Sequence, residues 1–339
     1  MRQDDYAILV GISNYPALGP LEGPCRDTLE FGRWLEAPEG GDVAPVNVKK
    51  LLSSELPPPD PQDLSTARPW EDEIERLFHP FVRRVGARVG QRLYIFLAGH
   101  GFSDRVDLNS AALYSADADI LVAPHVAATA YADFFRRNAT FDEVVLIMDC
   151  CRTTSPLHSV RLPVLPSTSD PGAAQAVRYF YAFAAAWGQV SRERVIDGQT
   201  RGIFTATLLE ALRLAKPDEQ GRVTGEIVRD YIHNNIVRIA AGTQIRPPSI
   251  AIDKARDIAF FQRAATPLTV VRLRAAGLAA PQTLRIFDGS RREIYSGQIH
   301  DQPVEVRLPA GYYKARIEAT GRELLFEVSG ERYEATIAA

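Results

Sequence analysis

Three cysteines are all that this 339-residue chain carries, and two of them, Cys150 and Cys151, are adjacent. So few thiols cannot build the disulfide framework of a small secreted domain. The expectation is a reducing, cytoplasmic setting in which a free thiol survives. No apolar run approaches the roughly 20 residues that span a bilayer. The opening residues, Met1-Arg2-Gln3-Asp4-Asp5, lead straight into an apolar segment and lack the features of a secretory leader. An excess of charge of one sign is also missing. The formal net charge is −3, so no global field favours nucleic acid or an anionic membrane, and neither is expected as a partner. No glycine-rich phosphate loop follows an apolar run, which leaves a nucleotide enzyme poorly supported. His125, His158 and His233 stand at no ligand spacing to the cysteines, so no zinc site is expected.

What is present is an ordinary globular composition, 46% hydrophobic and 24% charged, in a chain long enough for two domains. Two short runs stand out. Leu93-Tyr94-Ile95-Phe96-Leu97-Ala98 stops at Gly99-His100-Gly101, and Val144-Val145-Leu146-Ile147-Met148 stops at Asp149-Cys150-Cys151-Arg152. Runs this short, apolar on both faces, suit central strands of a parallel sheet covered by helices. Ligands of such sheets bind beyond the carboxyl ends of the strands. If the two strands are neighbours, His100 and Cys151 meet at that edge.

The rest of the chain fits an α/β domain over residues 1–262. Tyr6–Ile12 and Val46–Leu52 read as further strands. A helix follows Asp27-Thr28 to about Leu35, and another runs from Pro69 to about Arg84. A third amphipathic segment covers His125 to Arg137. Residues 153–177, rich in Ser, Thr, Pro and Gly, read as a long exposed loop. Tyr179–Ala186 is a strand, Trp187–Gly202 a second polar loop, and helices start at Gly202 and Thr224. Ile250–Ile252 is the last strand of this alternating order, which implies a largely parallel sheet. The expected division of this domain is a larger segment over residues 1–152, the loop over 153–177 and a smaller segment over 178–262. From Leu268 the pattern changes to short apolar runs separated by turns such as Asp288-Gly289, Pro309-Ala310-Gly311 and Ser329-Gly330. That spacing predicts a small all-β, Ig-like sandwich over 268–339. Its ten basic and nine acidic residues leave no basic face for nucleic acid.

A thiolate attacks a carbonyl carbon once a base, usually His, takes its proton, and the oxyanion then needs backbone amides aimed at it. His100 and Cys151 supply the pair, and the amides of Gly101 and Cys151 are the expected oxyanion donors. The histidine precedes the cysteine by 51 positions, close to the separation of about 50 seen in caspases.

These residues resemble the caspase and metacaspase clan of cysteine peptidases. Ala98-Gly99-His100-Gly101 is similar to the family's Ser-Gly-His-Gly. Asp149-Cys150-Cys151-Arg152 is similar to the metacaspase Asp-Ser-Cys-His-Ser-Gly. Upstream, Leu21-x-Gly23-Pro24-x-x-Asp27 resembles Leu-x-Gly-x-x-Asn-Asp. Downstream, Ala184–Gln189 and Gly202-Ile203-Phe204-Thr205 resemble the smaller subunit of bacterial members. The likeness covers residues 5 to 260. It departs at Thr153, where the family has Ser or Gly, and at Ala98, where metacaspases have Ser.

The resemblance implies a caspase-like fold and an endopeptidase. It makes Cys151 the nucleophile and Cys150 a small core residue before it; a strained Cys150–Cys151 disulfide is not expected. Asp149, two residues before the nucleophile, and Asp27 line the primary pocket, which implies cleavage after Arg in preference to Lys. Arg26 is the contrary feature, since it is able to turn into that pocket. Asp27 as a helix cap and Asp149 as a solvated strand end are the plainer readings. An Arg-preferring pocket near exposed loops suggests self-cleavage after Arg161, Arg178, Arg192, Arg194 or Arg201. No cofactor is expected. Calcium at Asp104, Asp107, Asp117 and Asp119 is less favoured than a solvated face. Protein or peptide substrates are the expected partners, with a regulatory protein bound by the β domain. Members in bacteria imply a role in antiviral defence or regulated death. The alternatives are a non-catalytic caspase-like scaffold and cleavage after Asp.

Overall fold

The computed structural model describes residues 1–166, 171–253, 255–262, 268–289, 293–300, 302–309, 311–329 and 332–337. Positions 167–170 of the expected loop, and Ala310 and Gly330 of the expected turns, lie outside the described residues. The chain forms two compact units, Met1–Gln262 and Arg263–Ala339.

Six strands make the sheet of the first unit: β1 (Asp5–Gly11), β2 (Val48–Leu52), β3 (Gly90–Ala98), β4 (Phe141–Asp149), β5 (Arg178–Phe183) and β6 (Ser249–Ile252). Their spatial order is β6-β5-β4-β3-β1-β2. All pairs are parallel except β6, which runs antiparallel to β5. Successive side chains in a strand point to opposite faces, so each apolar run is shared between two cores. Leu9, Tyr94, Phe96, Val145 and Ile147 enter one core. Ile8, Val10, Ile95, Leu97, Leu146 and Met148 enter the other. Three helices cover the first face: α1 (Pro24–Glu36), α4 (Ile203–Leu214) and α5 (Gly225–Ala240). The second face is covered by α2 (Glu71–Val82) and α3 (Ala128–Arg137).

The register of the central strands is locked at their amino ends. Arg92 of β3 is paired with Glu143 of β4, and Glu143 with Arg178 of β5. Their side chains follow the same pairing: Glu143 makes ion pairs with both arginines, and Arg92 donates to the Tyr94 hydroxyl at 2.8 Å. Arg92 and Glu143 are buried. A slip of one residue would move these charges apart and reverse every side chain's face.

Two expected loops contain regular structure. Within 187–202, Glu193–Ile196 and Gln199–Gly202 form an antiparallel hairpin. Its turn, Asp197-Gly198, has both residues at positive φ (50° and 76°), as a two-residue hairpin turn requires. Within 153–177, Thr153–Thr154 pairs with Phe102–Ser103, and Pro171–Ala176 is helical. Helix α1 begins at Pro24, earlier than expected, with Gly23 before it, so Asp27 lies inside the first turn and does not cap it.

Among the described residues the second unit has seven strands: β7 (Leu268–Ala275), β8 (Gln282–Asp288), β9 (Glu293–Ile299), β10 (Val304–Pro309), β11 (Gly311–Ile317), β12 (Glu323–Val328) and β13 (Arg332–Ile337). They form a three-stranded sheet, β10-β7-β13, and a four-stranded sheet, β9-β8-β11-β12. Alternate residues such as Val271 and Leu273, Leu284 and Ile286, and Ala315 and Ile317 build one shared core.

Candidate active site

The register places the chemistry. Ala98 is paired with Asp149, so His100 and Cys151 each lie two residues beyond a matched pair. The separation of 51 positions is the strand offset. Both residues line one cavity of about 140 Å³, together with Asp27, Asp149, Arg192 and Glu193. Cys150, one residue earlier, has the opposite parity and packs into the second core at 2% exposure. Burial pushes its thiol far up, which keeps it protonated.

Gly99 has φ +155°, a region closed to most side chains, and a Cβ there would strike the Tyr15 hydroxyl. At Gly101 a Cβ would lie 2.5 Å from the Cys150 sulfur and 2.7 Å from the Ala112 carbonyl. The glycines on either side of His100 are therefore steric necessities. The His100 carbonyl accepts from the Tyr114 amide at 3.0 Å, and Gly101 is paired with Leu113. That pattern is a non-hydrogen-bonded pair, so the Gly101 N–H takes no part in the pairing with Leu113.

His100 is held from two sides. Its Nε2 lies 2.9 Å from the Gly19 carbonyl. A carbonyl only accepts, so Nε2 carries a proton, and in the neutral ring Nδ1 is the unprotonated nitrogen. Its backbone amide donates to the Tyr15 hydroxyl at 3.2 Å, and the Tyr15 ring meets the imidazole edge-on with centroids 4.8 Å apart. Burial lowers the His100 pKa, opposed by the Gly19 bond. Burial raises that of the Cys151 thiol, opposed by a backbone hydrogen bond with Ser191 and by the charge of Arg192. Both groups are therefore neutral at rest near pH 7.

Asp149 is a buried strand end, not a solvated one. Its Oδ1 accepts from Ser191 Oγ at 2.7 Å. Its Oδ2 accepts from the Thr205 amide at 3.1 Å and hydroxyl at 2.6 Å, in the first turn of α4. Amides and dipole at a helix start favour an anion. Burial still raises the Asp149 pKa, the Thr205 and Ser191 bonds opposing it. Asp27 Oδ2 accepts from the Gly202 amide at 2.6 Å, and its Oδ1 is ion-paired with Arg201. Burial and then the neighbouring Asp149 push its pKa up to about 7, against the pull of Arg201. Arg26 turns away from the cavity, donating to the Thr200 carbonyl at 2.9 Å.

The model of the caspase domain family matches residues 4–236. The chain belongs to the caspase domain family. The family is one of cysteine peptidases, hydrolases that act on peptide bonds. This caspase-domain chain is also similar in structure to caspase-1 from Spodoptera frugiperda, at 14% identity and a TM-score of 0.49, over 77% of this chain and 93% of that one. A Geobacter sulfurreducens protein is similar at 14% identity and a TM-score of 0.42, over 77% and 97% of the two chains. A search of curated proteins returns no significant match.

The expected cleavage arginines separate into two groups. Arg178 lies in β5 and is paired with Glu143; Arg194 and Arg201 lie in the hairpin. A peptidase takes an extended, accessible chain, so the exposed-loop premise fails for these three. Arg161 and Arg192 are exposed and outside regular structure. Of the four aspartates near the His100 loop, Asp104, Asp107 and Asp119 accept backbone amides of their own turns, and Asp117 accepts from Ser115. Among the described residues, no group of three or more His, Cys, Asp or Glu is arranged to hold a metal. No described helix is long and apolar enough to cross a membrane.

Sequence reasoning missed Ser191, Thr205, Glu193 and Tyr15. Glu193 accepts from the Gly23 amide at 3.0 Å and lines the cavity as a third carboxylate. Of these, only Thr205 carried a local signal, as the last residue of the quoted helix start Gly202-Ile203-Phe204-Thr205, though no role was given to it.

Proposed function

We propose that this chain is a cysteine endopeptidase that cleaves protein substrates after Arg, and less readily after Lys. The observation that carries the reading is the pairing of Ala98 with Asp149, which puts His100, Cys151 and the pocket acids around one cavity. In the reaction, Cys151 Sγ bonds to the carbonyl carbon as its proton passes to His100 Nδ1. The Gly101 and Cys151 amides hold the oxyanion. The imidazolium then protonates the leaving amine, and a thioester remains. Water, losing a proton to His100, attacks the thioester; the acid leaves and the thiol is restored.

Asp149 and Asp27 are the acids that select a cationic side chain. Self-processing is assigned to Arg161 or Arg192, the exposed pair. A defence or regulated-death role is carried over by analogy with bacterial members. The C-terminal β unit serves a regulatory partner in this reading.

Cleavage after Asp is the second reading, favoured by one observation: Arg192 borders the cavity as an exposed cation. Fluorogenic peptides ending in Arg, Lys, Asp or Glu decide between them, assayed on wild type and Cys151→Ala. Arg turnover lost in Cys151→Ala supports the proposal. Asp turnover supports the second reading, and no turnover of any peptide supports a scaffold.

A further inference from the structure

Arg201 is placed where its sequence context does not explain it. In the hairpin it stands directly opposite Arg194, and like charges across an antiparallel pair repel. Both side chains escape this by turning elsewhere. Arg194 donates to the Ile239 carbonyl at 2.6 Å. Arg201 reaches Asp27 and is ion-paired with it at 15% side-chain exposure. Its Nη2 is buried without a hydrogen-bond partner among the described residues, an exception that native structures seldom leave.

The residue after it completes the arrangement. The Gly202 amide donates to Asp27 Oδ2. A Cβ on Gly202 would meet Oδ2 of Asp149 and would lie 3.0 Å from Oδ2 of Asp27. Both carboxylates therefore converge on this one glycine, and only glycine fits between them. Two buried carboxylates this close repel and favour taking up a proton, and a cation beside them opposes that uptake. Arg201 is that cation. It does not line the cavity, whereas Asp27 and Asp149 do. Further bonds tie the hairpin to the start of α1: Glu193 to the Gly23 amide, Arg26 to the Thr200 carbonyl, and Thr200 to Glu22. The hairpin is thus a fixed wall behind Asp27.

We propose that Arg201 is a positioning residue for substrate selection: its guanidinium holds the Asp27 and Asp149 carboxylates together, so that both face a cationic side chain of the substrate. This rests on the reading of Asp27 and Asp149 as the specificity acids. Arg201 is then no cleavage site. It is the internal counter-ion that makes a two-carboxylate pocket stable in the absence of substrate.

The test compares peptides carrying Arg or its neutral isostere citrulline at the cleaved position. Wild type, Arg201→Gln, Arg201→Lys and Asp27→Asn are measured at pH 7. Arg201→Gln is expected to lower the Arg-to-citrulline ratio of kcat/KM at least tenfold, mainly through KM for the Arg peptide. Arg201→Lys keeps the charge and recovers most of the ratio. Asp27→Asn lowers the ratio to a similar extent, and the double variant Asp27→Asn/Arg201→Gln adds no further loss. Citrulline turnover by each variant reports that its site is folded. If Arg201→Gln raises the ratio, Arg201 competes with substrate and the proposal is overturned. A ratio unmoved in Arg201→Gln but reduced in Asp27→Asn also overturns it. If Asp27→Asn leaves the ratio unmoved, the pocket reading fails first and the inference with it.

Discussion

The resting protonation state of the dyad leads to a prediction that needs no substrate. Burial raises the Cys151 thiol and lowers the His100 imidazole. An ordinary thiol pKa of about 8.5 already leaves only about 3% thiolate at pH 7, and a raised one leaves less. Below the thiol pKa, each pH unit multiplies the thiolate tenfold. Alkylation of Cys151 by iodoacetamide, a neutral reagent that attacks the thiolate, should therefore speed up about 100-fold between pH 6 and pH 8. Cys25 and Cys150 are buried, so they react more slowly, and peptide mapping by mass spectrometry separates the three. His100→Ala should leave this slope in place, because no resting thiolate depends on the imidazole. The same change should reduce peptide turnover by about 10²–10⁴, the scale of a lost general base. A rate that is flat from pH 5 to pH 8 would show a preformed thiolate–imidazolium pair and refute the reasoning.

Three further outcomes follow from the surroundings of the dyad. Asp149→Ala should weaken Arg cleavage by about 2–4 kcal/mol, the scale for removing one partner of a buried charge pair. An Arg kcat/KM within threefold of wild type counts against the pocket assignment. Because the Asp27 carboxyl ionises near pH 7, the Arg-to-citrulline ratio should climb between pH 6 and pH 8. Taking the ratio cancels the titration of the nucleophile, and a constant ratio removes Asp27 from recognition. Glu143→Ala strands the buried Arg92 and should lower stability by about 3–5 kcal/mol in urea unfolding. A loss below about 1 kcal/mol would mean that the ion cluster does not hold the register.

The two central strands were legible because each is an apolar run that ends at reactive residues. Their neighbouring positions and matching register turned a spacing in the chain into a juxtaposition in space. Parity along β4 separated Cys150 from Cys151, which sequence reasoning reached only through the family motif. Asp27 was legible as an acid of that motif but not as a residue already engaged by Arg201. That pairing spans 174 positions and depends on a hairpin hidden in polar sequence, where no apolar alternation marks the strands. Ser191 and Glu193 lie in or beside the same segment and were missed for the same reason. Arg178 looked like a loop residue because it follows a Ser- and Pro-rich stretch. Its charge is explained by Glu143 on the adjacent strand, a partner that no local window contains.

The central claim is that Cys151, activated by His100, is the nucleophile of a peptidase that accepts a basic side chain. A peptidyl-arginine chloromethyl ketone tests this directly, since it alkylates the thiol only where the site binds its arginine. Mass spectrometry of the digested adduct should find the label on Cys151 alone, at one per chain, and protected by excess Arg peptide. Label on Cys150 or Cys25, or equal labelling by an aspartyl analogue, would contradict the account.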